Sequence, residues 1–233
     1  MRRTTAKASL HTALNLLFFA VIGTLVLAIT YSQTHDMIVK SEQAEKLKLI
    51  SQIVPHTLFD NDIMKDTLSV APDALLGTEN TTTAYRARLQ NQPSALVLEA
   101  IAPDGYSGKI VLLVAIRDNG EVAGARVVSH KETPGLGDYI EIAKSNWIKG
   151  FDGASQVRYK DRDWKVKKDG GQFDHMAGAT ITPRAVVKAV HRALQYFAVN
   201  RDRLFATNNP TPPNLPLSGE EQRKPKGVDE NKK

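Results

Sequence analysis

Residues 96–129 read LVLEAIAPDGYSGKIVLLVAIRDNGEVAGARVVS. Within this stretch the runs 96–102, 110–116 and 121–129 are rich in Val and Ile, the residues that pack well on a pleated surface. Asp118-Asn119-Gly120 between the last two runs is a strong hairpin turn. Segments joined in this way pair antiparallel, so the stretch predicts an antiparallel sheet. On its N-terminal side, Thr81-Thr82-Thr83 followed by Tyr85 suggests one more strand, while Phe59, Ile63 and Leu68 suit a short helical or irregular packing layer. On its C-terminal side, residues 139–149 read as a helix, with Ile140, Ala143, Trp147 and Ile148 near one side. Residues 157–166 read as a returning strand or hairpin. A last helix starts at Pro183 and buries Val186, Val187, Val190, Leu194 and Phe197, leaving Arg184, Lys188, Arg192 and Gln195 on other faces. Helices packed on an antiparallel sheet give an α+β domain.

Farther out, residues 8–34 contain no Asp, Glu, Lys or Arg, and 10–31 are dominated by Leu, Phe, Ala, Val and Ile. This exceeds the ~20 residues that cross a bilayer core and the ~7–15 of a signal-peptide core. It predicts one N-terminal transmembrane helix. Arg2, Arg3 and Lys7 precede it, which places residues 1–9 in the cytoplasm and exports the remainder. In a Gram-negative cell the soluble domain would be periplasmic, on an inner-membrane anchor. After the span, Ala44, Leu47, Ile50 and Val54 recur at helical spacing among Glu42, Glu45, Lys46 and Lys48, as in a helix leading into the domain. Residues 32–94 then form this connection and the N-terminal part of the soluble domain, and residues 95–206 form its core. Residues 207–233 turn to Pro, Asn, Glu and Lys, a composition that cannot bury enough surface to offset its ordering entropy. They predict a disordered tail.

Composition excludes several chemistries. The 233 residues include no cysteine, so disulfides and thiolate-bound clusters are impossible. The net charge of +6 is spread through helices and tail without a basic run interleaved with aromatics, which argues against nucleic acid. The six histidines never fall at metal-ligand spacing. Asp60-Asn61-Asp62 and Asp161-Arg162-Asp163 lack the Gly and distal Glu of a calcium loop. No Gly-rich dinucleotide fingerprint follows a strand and no nucleophilic Ser elbow is present, so direct NAD binding and a complete active site are not expected.

One segment does point to a ligand. Residues 174–186 read DHMAGATITPRAV. Gly178 and Ala179 allow close approach of a bulky group, and Thr182 is a good N-cap before Pro183 at the first helical position. The free N–H groups and positive end of that helix face back towards Thr180 and Thr182, a seat suited to a phosphate. A capped helix with a tight entry turn, in a scaffold or binding domain without redox chemistry, would use the same residues.

The segment resembles the flavinylation motif of the FMN-binding domain shared by the G subunit of the Rnf electron transport complex and the C subunit of the sodium-pumping NADH:quinone reductase. The family pattern is Asp, two variable residues, Ser or Thr, then Gly-Ala-Thr. Here it falls on Asp174, Ala177, Gly178, Ala179 and Thr180, with Ala177 departing from the commoner hydroxyl residue. A second segment, SHKETPGLGD at 129–138, is similar to the stretch that these domains place against the flavin. The chain length and the wording ATITPRAV are more similar to the Rnf G subunits. The resemblance implies FMN held covalently by a phosphoester to Thr180, with Gly178, Ala179 and Thr182 framing the phosphate. It also places Glu132, Thr133, Leu136 and Gly137 near the ring or ribityl chain. It further implies a flavin transferase for maturation, partner subunits in a membrane complex, and an electron-relay role in coupling ferredoxin/NAD electron transfer to ion translocation. Thr180 would then be an attachment point and not a catalyst.

Overall fold

The structure, a computed structural model, describes residues 2–206. The tail expected over 207–233 lies outside the described residues.

The chain opens with α1, Arg2–Ile53, a continuous helix of 52 residues about 78 Å long at the α-helical rise. The anticipated span and the anticipated stem are thus one element. Neither Gly nor Pro occurs between Gly23 and Pro55, so nothing in the chain interrupts the hydrogen-bond ladder until Pro55 disfavours helix at its predecessor. The section Lys7–His35 has a mean hydropathy of 2.3 over its most apolar window and none of that window is buried. It is long and apolar enough to cross a membrane.

Five strands follow: β1 Thr67–Val70, β2 Thr82–Leu89, β3 Gln92–Gly105, β4 Gly108–Arg117 and β5 Val122–Ser129. They form one antiparallel meander in chain order. The three strands expected from 96–129 are present. β1 and β2 extend the sheet on its N-terminal side, β1 taking in Leu68, which was expected in a helical or irregular layer, and the β2–β3 turn carries no Gly to announce it. Gln90 and Asn91 both take positive φ, 51° and 62°, the geometry of a tight hairpin that usually advertises itself with Gly. Asp60 supports it by accepting the Gln90 N–H at 2.8 Å.

Side chains alternate across the sheet. Leu96, Leu98, Ala100, Leu112, Val114 and Ile116 face the main core, where α2, Ile181–Phe205, buries Val186, Val190, Leu194 and Phe197. Val97, Leu113 and Ala115 face the other way and cover Ile50, Ile53 and Val54 at the end of α1. The contact is close at Gly124, where a β-carbon would stand 2.9 Å from that of Ile53. Arg126 completes the junction from β5, donating to the Gln52 side chain at 3.0 Å and the Gln52 carbonyl at 3.4 Å. Burial lowers the pKa of this guanidinium, and Asp152 opposes the shift.

Two sequence expectations are corrected. Residues 139–149 are not one helix. They contain the short 3-10 turns Asp138–Ile140 and the start of Trp147–Phe151, with Glu141 extended between them. Ser145 accepts the Trp147 N–H at 2.9 Å, a local bond that competes with the helical ladder. Residues 157–166 are not a strand: Ser155 and Asp163 accept the N–H groups of Arg158 and Lys160 and wind the segment into turns. Only Val166 forms a bridge there, parallel to Phe173.

Candidate functional site

Three pieces of chain meet beside the amino end of α2. The first is the β3–β4 hairpin tip, where Gly105 pairs with Gly108 around Tyr106 and Ser107. The second is the turn 133–137, closed by N–H groups of Leu136 and Gly137 on the Thr133 carbonyl at 3.1 and 2.9 Å. Gly135 takes φ 76° there and donates to Asp138 at 2.8 Å. The third is the turn 176–180, in which Ala179 N–H reaches the Met176 carbonyl at 3.1 Å and Gly178 takes φ 86°. Between them lies an open cleft of about 290 Å³.

All eight residues singled out in the sequence line this cleft: Glu132, Thr133, Leu136 and Gly137 from one side, Gly178, Ala179, Thr180 and Thr182 from the other. Tyr106 and Ile181 line it as well and were not anticipated. The Gly-Tyr-Ser-Gly wording marks a hairpin tip, but nothing in it says where the tip points.

The start of α2 differs from the expected one. The helix begins at Ile181, with Thr180 as the flanking residue, and the Thr180 hydroxyl makes no capping hydrogen bond. Pro183 falls at the third helical position, where its missing N–H is still without consequence. Thr182 is not a cap. It is 1% exposed, and its hydroxyl donates to Glu132.

Glu132 is the hub of the cleft wall. Its other carboxylate oxygen accepts the Ser107 N–H at 3.0 Å, so one side chain ties the hairpin tip to α2. Its backbone N–H donates to Nδ1 of His130 at 2.9 Å. That fixes the imidazole with its proton on Nε2, aimed at Glu141 2.5 Å away. Gly137 is required beside it, because a β-carbon there would sit 2.8 Å from that of Glu132.

Other groups hold the 174–180 segment. Trp147 Nε1 donates to the Asp174 carbonyl at 2.8 Å, and the Tyr139 hydroxyl accepts the Met176 N–H at 3.3 Å. Burial pushes the Tyr139 phenol up to about 12, with the Met176 bond opposing. Among the described residues no cluster of His, Asp or Glu could hold a metal.

FMN combines a phosphate, a polyol and a flat apolar ring. The donor set fits that combination. Thr180 offers a hydroxyl free of capping duty beside unpaired N–H groups at the positive end of α2. A β-carbon built on Gly178 would meet nothing within 4 Å, which leaves the cleft unobstructed beside Thr180. Leu136 and Ile181, 47% and 45% exposed, supply apolar surface with no protein partner of its own.

Comparison with known proteins bears on the same segments. The family model for an FMN-binding domain matches residues 105–195, and the one for the RnfG N-terminal region matches residues 1–53. The chain is 47% identical over 206 residues to the G subunit of the ion-translocating oxidoreductase complex of Pseudomonas aeruginosa (strain UCBPP-PA14), covering 88% of this chain and 96% of that one. It is 46% identical over 194 residues to the protein of the same name from Vibrio cholerae serotype O1 (strain M66-2), covering 83% and 91%. To that of Shewanella oneidensis it is 44% identical over 191 residues, covering 82% and 90%. Likeness at this level over nearly the whole chain, with an FMN-binding domain where the cleft lies, means that the chain belongs to the family of G subunits of Rnf-type ion-translocating oxidoreductase complexes.

Proposed function

We propose that this protein is a membrane-anchored electron carrier whose FMN is linked through its phosphate to Thr180 Oγ. The observation that carries this reading is the position of Thr180: its hydroxyl lacks a capping role, lies at the amino end of α2 and lines the cleft beside the 133–137 turn. When bound, the flavin supplies a ring that takes up and releases electrons, with a potential set by its protein surroundings. The chain's own residues do the holding. The first N–H groups of α2 and the turn 178–180 seat the phosphate, Leu136 and Ile181 cover apolar ring surface, and Thr133 offers a hydroxyl to the polyol or ring edge.

The partners proposed are the other subunits of the membrane complex, with a flavin transferase installing the cofactor, and electrons pass through this protein without direct NAD binding. Arg2, Arg3 and Lys7 before the span support a cytoplasmic N-terminus and an exported, periplasmic domain. A covalent bond suits such a location, because a dissociable cofactor would be lost outside the cytoplasm.

The test is the intact mass of the full-length protein, produced in its export compartment together with a flavin transferase and followed by peptide mapping. The expected result is a gain equal to FMN minus water on the peptide containing Thr180. An unmodified, colourless protein under those conditions would refute the reading and favour a scaffold role for the domain.

A further inference from the structure

The cleft contains one charged group to which seating FMN gives no part, the Glu132 carboxylate. It is 4% exposed. Thr182 and the Ser107 N–H each donate to one of its oxygens, and among the described residues it forms no ion pair. Gly105 and Gly137 flank it closely on two sides, since a β-carbon added at either position would come within 2.8 Å of the Glu132 side chain. The backbone behind it is pinned through His130 to Glu141. A negative charge is thus fixed in the wall of the cleft that Thr180 lines.

We infer that Glu132 is a positioning residue that, through this fixed charge, holds the potential of the flavin low. The inference rests on the reading of FMN at Thr180. Reduction adds negative charge to the ring, and a nearby carboxylate in a poorly solvated wall opposes that addition. Burial matters here because salt screens such a charge far less than an exposed one. The positive end of α2 offsets part of the field, so the two hydrogen-bond donors and the helix end together set how much of it the ring feels.

The experiment is a reductive spectroscopic titration of the flavinylated full-length protein against a dye of known potential, for wild type and Glu132→Gln. Gln keeps the shape and one acceptor oxygen and removes the charge. The midpoint is expected to move to a more positive value while the FMN mass on Thr180 is retained. An unchanged midpoint in a loaded Glu132→Gln protein overturns the inference and leaves the cofactor reading intact. A wild-type protein without the Thr180 adduct overturns both. Should Glu132→Gln fail to fold or load, Thr182→Val removes one of the two donors to the carboxylate. Its midpoint is expected to move, to more negative values where the charge is kept and to more positive ones where the carboxyl takes up a proton, and no movement overturns the inference.

Discussion

Two threonines two positions apart at the head of α2 have opposite duties. Thr180 spends its hydroxyl on no cap, so Thr180→Val is expected to change stability by no more than about 0.5 kcal/mol while abolishing covalent flavin. Intact mass and a thermal melt read both effects. Thr182→Val leaves a buried Glu132 oxygen without its donor, and is expected to destabilise by about 1–3 kcal/mol in chemical denaturation. The sequence pointed to both residues but read Thr182 as the helix cap, whereas its hydroxyl is spent on Glu132. A Thr directly before Pro at a helix start is a local signal for capping, whereas the partner of Thr182 lies 50 residues away and leaves no local trace. Position 191 offers a third test at this scale. The His191 ring stacks on Trp164 at 4.9 Å, and burial holds its pKa below the ordinary 6.5, with exposed Asp161 opposing. As the pH falls through 6.5 the unfolded chain therefore takes up this proton first, so stability present above that value is lost below it. Melts at pH 7.5 and 5.5 are expected to fall more for wild type than for His191→Gln.

At the scale of elements, the strands 96–129 were legible because Val, Ile and a Gly-bearing turn all agree. The irregular segments were not. Residues 139–166 have helix-like and strand-like spacing but are organised by side-chain bonds from Ser145, Ser155 and Asp163 and by ring contacts such as Trp147 with Phe151 at 5.5 Å. Periodicity does not report either. The junction of α1 with β5 is equally silent in sequence, since a lone Gly in a strand names no neighbour. Gly124→Ala would drive a methyl into Ile53, and is expected to cost about 1–3 kcal/mol by overpacking. Ile53→Ala alone opens a cavity, and the double variant is expected to recover part of the loss. A double-mutant cycle on chemical denaturation measures that coupling, and additive effects would place the two residues out of contact.

For the whole molecule, the sequence already divided the chain into an apolar span and one α+β domain, and it named eight residues of a single cleft. It did not show that the sheet is clasped between two helices, with the end of α1 on one face and α2 on the other. Deleting residues 1–35 removes the apolar section and leaves the last turns of α1 that pack under the sheet. Such a protein is expected to leave the membrane fraction on carbonate extraction and to keep its cooperative unfolding. Deletion through residue 54 strips Ile50, Ile53 and Val54 from the second core, and is expected to unfold the domain or render it insoluble.

The unbroken α1 makes the connection between span and domain a mast and not a leash. From His35 to Ile50 it rises about 22 Å at the α-helical spacing, and Arg126 and Gly124 clamp its upper end to the sheet. A domain mounted this way has no swivel with which to commute between distant stations. With the apolar section in a bilayer and FMN in the cleft, as proposed, whatever exchanges electrons with the domain has to be built at that height or travel to it.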